Sequence, residues 1–226
     1  MGAALGWGAL AASSLVVGAL IGLARPWPQK AIGLVLGFGA GALISAVSFE
    51  LAEEGVKIAG GLPVAIGLGV GAITYYLASI RVAAMGGGGA LALGAFLDGI
   101  PEQMVLGIGL ASGAPVSAGL IAAIYVSNLP EAIGGANDMR RHMDSRRVAL
   151  NWLGIASLCT FATLVGYALA DVASDEFKGG INGFAAGALL VMLVDSMIPE
   201  ATEQAGRTTG LVTALGFAVA AGLSLA

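Results

Sequence analysis

The sequence predicts an all-α polytopic membrane protein: eight transmembrane helices in a 3+2+3 arrangement with inverted repeats, forming one transmembrane domain over residues 1–226. Three observations carry this. First, 58% of the residues are hydrophobic and only 11% are charged, whereas a soluble domain would carry about a quarter charged residues. Second, runs without Lys, Arg, Asp or Glu cover 1–24, 31–49, 58–80, 82–97, 103–130, 148–170, 179–194 and 208–226. About 20 apolar residues cross the hydrocarbon core as a helix. Third, the cations alternate. Arg25 and Lys30, then Arg81, then Arg140, Arg141, Arg146 and Arg147, then Arg207 fall in every second connection, leaving only Lys57 and Lys178 for the others. Cytoplasmic loops hold the excess of Lys and Arg, so eight of the ten cations mark the cytoplasmic face. Both termini are expected outside, in a plasma-membrane protein. A net charge of −4 gives no reason to expect nucleic acid as a partner.

The elements follow in order, with the shorter runs extended through the carboxylates at their ends. Helix one (3–24) lacks the positively charged start of a signal peptide and is read as a span. Helix two (31–54) closes on Glu50, Glu53 and Glu54, which can reach headgroup water. Helix three (62–83) carries Tyr75 and Tyr76, expected with Trp7, Trp27 and Trp152 to belt the membrane interfaces. Met85–Gly89 is a flexible connector to helix four (90–111), which is followed by helix five (116–138). Helix six (148–171) holds the single cysteine, Cys159, which excludes an intramolecular disulfide and reads as a buried thiol. Helix seven (181–203) ends near Glu200 and Glu203, and helix eight covers 208–226. His142 is read as a solvated loop residue.

Two segments repeat. Gly37-Phe38-Gly39-Ala40-Gly41-Ala42-Leu43-Ile44 matches Gly183-Phe184-Ala185-Ala186-Gly187-Ala188-Leu189-Leu190 at six of eight positions. By the charge count, helices two and seven run in opposite directions. Helices one to three therefore correspond to six to eight as an inverted repeat, a common plan for secondary transporters. Gly-x-x-x-Gly spacing alone would serve any close helix pair; its duplication is the informative part.

Proline followed by glutamate occurs three times, at Pro101-Glu102, Pro130-Glu131 and Pro199-Glu200. A helical proline frees the carbonyl four residues earlier, here of Leu97, Val126 and Asp195, so each site offers a carbonyl oxygen beside a carboxylate. Asp98 and Glu102 are four apart, as are Ser127 and Glu131, so each pair shares a helix face. No Lys or Arg lies in helices four, five or seven to pair with them. Intramembrane carboxylates are expensive and mark ion pathways, so the constellation reads as a cation route.

These residues resemble the ZIP (ZRT/IRT-like) divalent metal transporters. Asp98-Gly99-Ile100-Pro101-Glu102-Gln103 resembles the family's fourth-helix pattern, His-Asn-x-Pro-Glu-Gly, at Pro and Glu. Ser127-Asn128-Leu129-Pro130-Glu131 keeps the Asn, Pro and Glu of its fifth, and Ile198-Pro199-Glu200-Ala201 is similar to the seventh-helix ending of bacterial members. The resemblance implies a permease for zinc, iron or manganese. It also implies alternating access in which helices one, four, five and six move against two, three, seven and eight. The metal residues it implies are Glu102 and Glu131, with Asp98, Asn128, Ser127 and Asp195. The divalent cation is cargo, no prosthetic group is expected, and the partners are metal ions, the lipid bilayer and, for assembly, a second copy in a homodimer. Asp98 stands where the family has histidine, and Gly99 where a ligand asparagine is common. Two other classes fit the same residues: a non-transporting membrane sensor or structural subunit, suggested by the missing histidines, and an intramembrane hydrolase using paired carboxylates.

Overall fold

The computed structural model describes residues 1–85, 89–111, 118–170 and 172–224; the side chains of 82–85, 89–95, 97, 98, 118–120, 122, 123, 127 and 224 also lie outside that description. The described residues form helices and turns, without strands. The helical runs are α1 (Gly2–Ala24), α2 (Gln29–Ala59), α3 (Gly61–Met85), α4 (Gly89–Ala111), α5 (Ala118–Met139), α6 (Ser145–Leu169), α7 (Asp175–Ala205) and α8 (Thr208–Ser224). Among the described residues, α1, α2, α3, α6 and α7 are long and apolar enough to cross a membrane.

Two helices outrun their apolar stretches for local reasons. The Ser174 hydroxyl accepts the Phe177 N–H at 3.3 Å, starting α7 six residues before the expected 181. Asp175 and Glu176 suit that positive helix end, and Lys178 pairs with Asp175 at 3.5 Å. At the far end of α2, Lys57 pairs with Glu53 at 2.9 Å and Glu54 at 3.8 Å, carrying the helix to Ala59. Thus the two cations assigned to the other face are each paired with acids of their own turn. Asp144 caps α6 through the Arg147 N–H at 3.0 Å.

Both long helices pass through a π-helical stretch, Ala46–Ala52 in α2 and Leu193–Met197 in α7. In α7 the stretch is followed by Pro199, which has no N–H for the Asp195 carbonyl. In α2 the Ser48 hydroxyl donates to the Ile44 carbonyl at 2.8 Å, competing with the backbone. Each helix then ends at a glycine with positive φ, Gly60 at 76° and Gly206 at 65°, a conformation that Cβ opposes elsewhere. Gly37 and Gly183 are 146 residues apart, as are Gly60 and Gly206.

The matched segments also pack alike. Val64 and Leu68 of α3 bring their carbonyls against Gly183 and Gly187 of α7, while Thr209 and Thr213 of α8 lie against Gly37 and Gly41 of α2. The Phe184 carbonyl faces Gly71, and the Phe38 carbonyl faces Gly216. Small residues let these backbones touch, so α3 packs closely on α7 and α8 on α2.

The buried apolar side chains divide in the same way. One cluster, including Leu36, Leu43, Tyr75, Leu189 and Leu193, belongs to α2, α3 and α7. A second joins α1, α5 and α6 through Leu15, Ala132, Met139, Val148 and Trp152, and a third joins α1, α4 and α5 through Ala11, Leu106 and Ile124. The helices thus group as α1, α4, α5, α6 and α2, α3, α7, α8, meeting mainly where α5 lies on α2 and α4 on α7. Tyr75 and Trp152 correct the belt expectation: both are buried in these clusters, whereas Trp7 and Tyr76 are exposed. Apolar neighbours on facing helices, which position along a segment does not reveal, decide the difference.

Candidate metal centre

Two proline-containing helices bring the candidate ligands inside. Pro101 lies within α4 and Pro130 within α5, and the glutamate after each is buried, Glu102 at 7% and Glu131 at 6% exposure. Asn128, one turn before Glu131, is buried as well and donates from Nδ2 to Glu102 Oε2 across the helix pair, a long bond of 3.4 Å. Among the described residues, Glu131 Oε2 is buried without a hydrogen-bond partner. A carboxylate oxygen shut away from water and donors is costly, a cost that a proton or a bound cation would relieve.

The negative field continues beyond the pair. Glu102 and Glu200 both act on Glu131 through space, and Asp138 and Glu203 act on Glu200. Gln204 steadies Glu200 by donating to its Oε1 at 3.0 Å. Asp138 is in the last turn of α5, and Glu200 and Glu203 are in the last two turns of α7. The carboxylates therefore lead from the buried pair to the helix ends that precede the cationic connections 140–144 and 206–207. Asp138 carries no motif; it enters through its charge, which acts on Glu200.

Of the six residues expected at the site, the structure gathers three: Glu102, Asn128 and Glu131. The side chains of Asp98 and Ser127 lie outside the described residues. Asp195 stands apart, exposed beside Val194 within the π-helical stretch of α7. Among the described residues, no three His, Cys, Asp or Glu side chains converge as a metal cluster. Gly99 faces α6, where a Cβ would sit 2.6 Å from Cys159 Sγ. Cys159 is fully buried, as an apolar neighbourhood predicts, and His142 is exposed in its loop.

Comparison with known proteins adds a relative. Over 193 residues the chain is 28% identical to an Arabidopsis thaliana protein named "Putative zinc transporter", covering 79% of this chain and 31% of that protein. The chain thus spans about a third of the relative's length. No family model matches it. The apolar helices are those of a multi-pass membrane protein.

Proposed function

We propose that the chain is a ZIP-like permease that moves divalent metal cations across the plasma membrane by alternating access, with no enzymatic step. The observation that carries the reading is the Glu131 oxygen without a partner among the described residues, buried near Glu102 and Asn128 where two proline-containing helices meet. In this reading all eight helical runs are spans in a 3+2+3 order with extracytoplasmic termini. α1–α3 and α6–α8 are inverted repeats, supported by the matched glycine contacts, π-helical stretches and terminal glycines.

The mechanism follows from charge. A divalent cation shedding water needs replacement oxygens, and two carboxylates with an amide supply them while cancelling its charge. Binding displaces the weak Asn128–Glu102 hydrogen bond, so little is lost when the metal takes its place. The group α1, α4, α5, α6 carries the pair, and its movement past α2, α3, α7, α8 would turn the site from one face to the other. Glu200, Asp138 and Glu203 then offer successive weaker sites toward the cytoplasm. With Gly99 packed against Cys159 rather than replaced by a ligand, the site holds one ion.

The cargo class is divalent and broad. Imidazole favours zinc and its neighbours, whereas carboxylate and amide oxygens also suit harder ions such as Mn²⁺, and zinc is the ion in the relative's name. Equilibrium dialysis of the purified protein against Zn²⁺ and Mn²⁺ tests the reading. Wild type should saturate at about one high-affinity ion per chain, on the one-site geometry above, and Glu131→Gln should lose that site. Unchanged binding in Glu131→Gln would refute the assignment.

A further inference from the structure

One face of α4 forms a seam against α6. Gly99, Gln103 and Gly107 recur every four residues, so they lie in one row along the helix. Gly99 faces the Cys159 thiol, Gly107 faces the Thr163 carbonyl, and Gly166 of α6 in turn faces the Met104 carbonyl. The glycines let the two backbones touch. Between them stands a single polar tooth: Gln103 is fully buried, and its Oε1 accepts the Thr163 hydroxyl at 2.5 Å. Thr163 is fully buried too, wedged by α1, where a Cβ on Gly8 would lie 2.7 Å from its Oγ1.

Gln103 directly follows Glu102, about 100° further round the helix. The roll of α4 that seats Gln103 on Thr163 is therefore the roll that turns Glu102 toward Asn128 of α5. Pro101 removes a backbone bond just upstream, so the ladder alone fixes that roll less firmly here than in an unbroken helix. The related pattern has glycine where this chain has Gln103, which leaves no such tooth. Three side-chain bonds now tie the group together: Ser13 with Tyr125 joins α1 to α5, Asn128 with Glu102 joins α5 to α4, and Gln103 with Thr163 joins α4 to α6.

We propose that Gln103 is a positioning residue: clasped by Thr163, it sets the roll of α4 past the Pro101 break and so holds Glu102 in the geometry that binds the cation. The inference rests on the metal reading above for its effect on transport, but its structural half does not.

The test has a metal-free arm and a transport arm. In purified, metal-free protein, a double-mutant cycle on the thermal midpoint combines Thr163→Val with Asn128→Ala. If the clasp acts through Glu102, the two changes are coupled; for separate, independent contacts they add. Additive effects would overturn the proposal even if no metal is ever transported. In proteoliposomes, Thr163→Val should raise the KM for Mn²⁺ or Zn²⁺ about tenfold, the lower end of what loss of a ligand-orienting contact costs in affinity. Thr163→Ser, which keeps the hydroxyl, should stay near wild type. The double variant Gln103→Leu/Thr163→Val replaces both polar groups and should recover thermal stability while keeping the raised KM. A double variant that also recovers KM would show a purely structural bond, and an unchanged KM in Thr163→Val would equally overturn the proposal. Loss of uptake in wild type would strike the transport reading, leaving the coupling result to decide the clasp.

Discussion

Replacing Gly187 by alanine puts a methyl group against the Leu68 carbonyl, its α-carbon and its carbonyl carbon. None of these atoms can swing aside as a side-chain tip would, so α3 and α7 must part. Overpacking of this kind costs about 1–3 kcal/mol. It is offset by alanine's better helix propensity, about 1 kcal/mol over glycine. Gly69→Ala isolates that offset, because Gly69 lies in the middle of α3 with nothing within 4 Å of its would-be Cβ. The propensity gain then cancels in the comparison, leaving Gly187→Ala less stable than Gly69→Ala by about 1–3 kcal/mol. At roughly 2–4 °C per kcal/mol for a chain of this size, thermal melts followed by far-UV circular dichroism in one detergent resolve it. Gly41→Ala, aimed at the Thr213 backbone in the matched pair, should track Gly187→Ala, and Gly210→Ala should track Gly69→Ala. Equal shifts for Gly187→Ala and Gly69→Ala would refute the close helix approach and the packing equivalence drawn from it.

Three further outcomes are expected. Uptake should fall as pH drops, because a proton and a metal compete for the same carboxylate oxygens of Glu102 and Glu131; a rate flat from about pH 8 down to about pH 4, into the range where glutamate titrates, would contradict that competition. A tag in the 140–144 connection should be shielded in intact cells, while one after Ser224 should be reached from outside; the opposite labelling would reverse the orientation read from the cations. Asp98→His should shift competition among Zn²⁺, Mn²⁺ and Fe²⁺ toward zinc, since imidazole suits it better than carboxylate. A zinc-exclusive wild type unchanged by the substitution would sink the oxygen-site argument.

The sequence was legible where composition and covalent chemistry decide. Apolar runs located the helices, and Pro101 and Pro130 pointed to the buried carboxylates that follow them. Helix ends were misjudged where a cap outweighs charge: Ser174 starts α7 amid Asp175, Glu176 and Lys178, which a rule based on uncharged runs assigns to a loop. The π-helical stretches escaped because widening a turn leaves no periodic signal, and proline does not mark them: α2 has one without proline, while α4 and α5 hold Pro101 and Pro130 within described α-helix. Asp195 shows the consequence, since its placement on the exposed side depends on that extra residue per turn. Gln103 was passed over because a glutamine beside a glutamate looks like part of the same polar patch. Only the facing Thr163, 60 residues away, shows that it turns to another helix.

The most direct test of the account is metal uptake into proteoliposomes that hold the purified chain alone, measured with a metal-sensitive dye for Zn²⁺ and Mn²⁺. Wild type should show saturable entry without ATP, and Glu102→Gln and Glu131→Gln should each abolish it while inserting normally. Glu203→Gln, at the last turn of α7, should only weaken it. Saturable uptake surviving in both buried-glutamate variants would contradict the central claim.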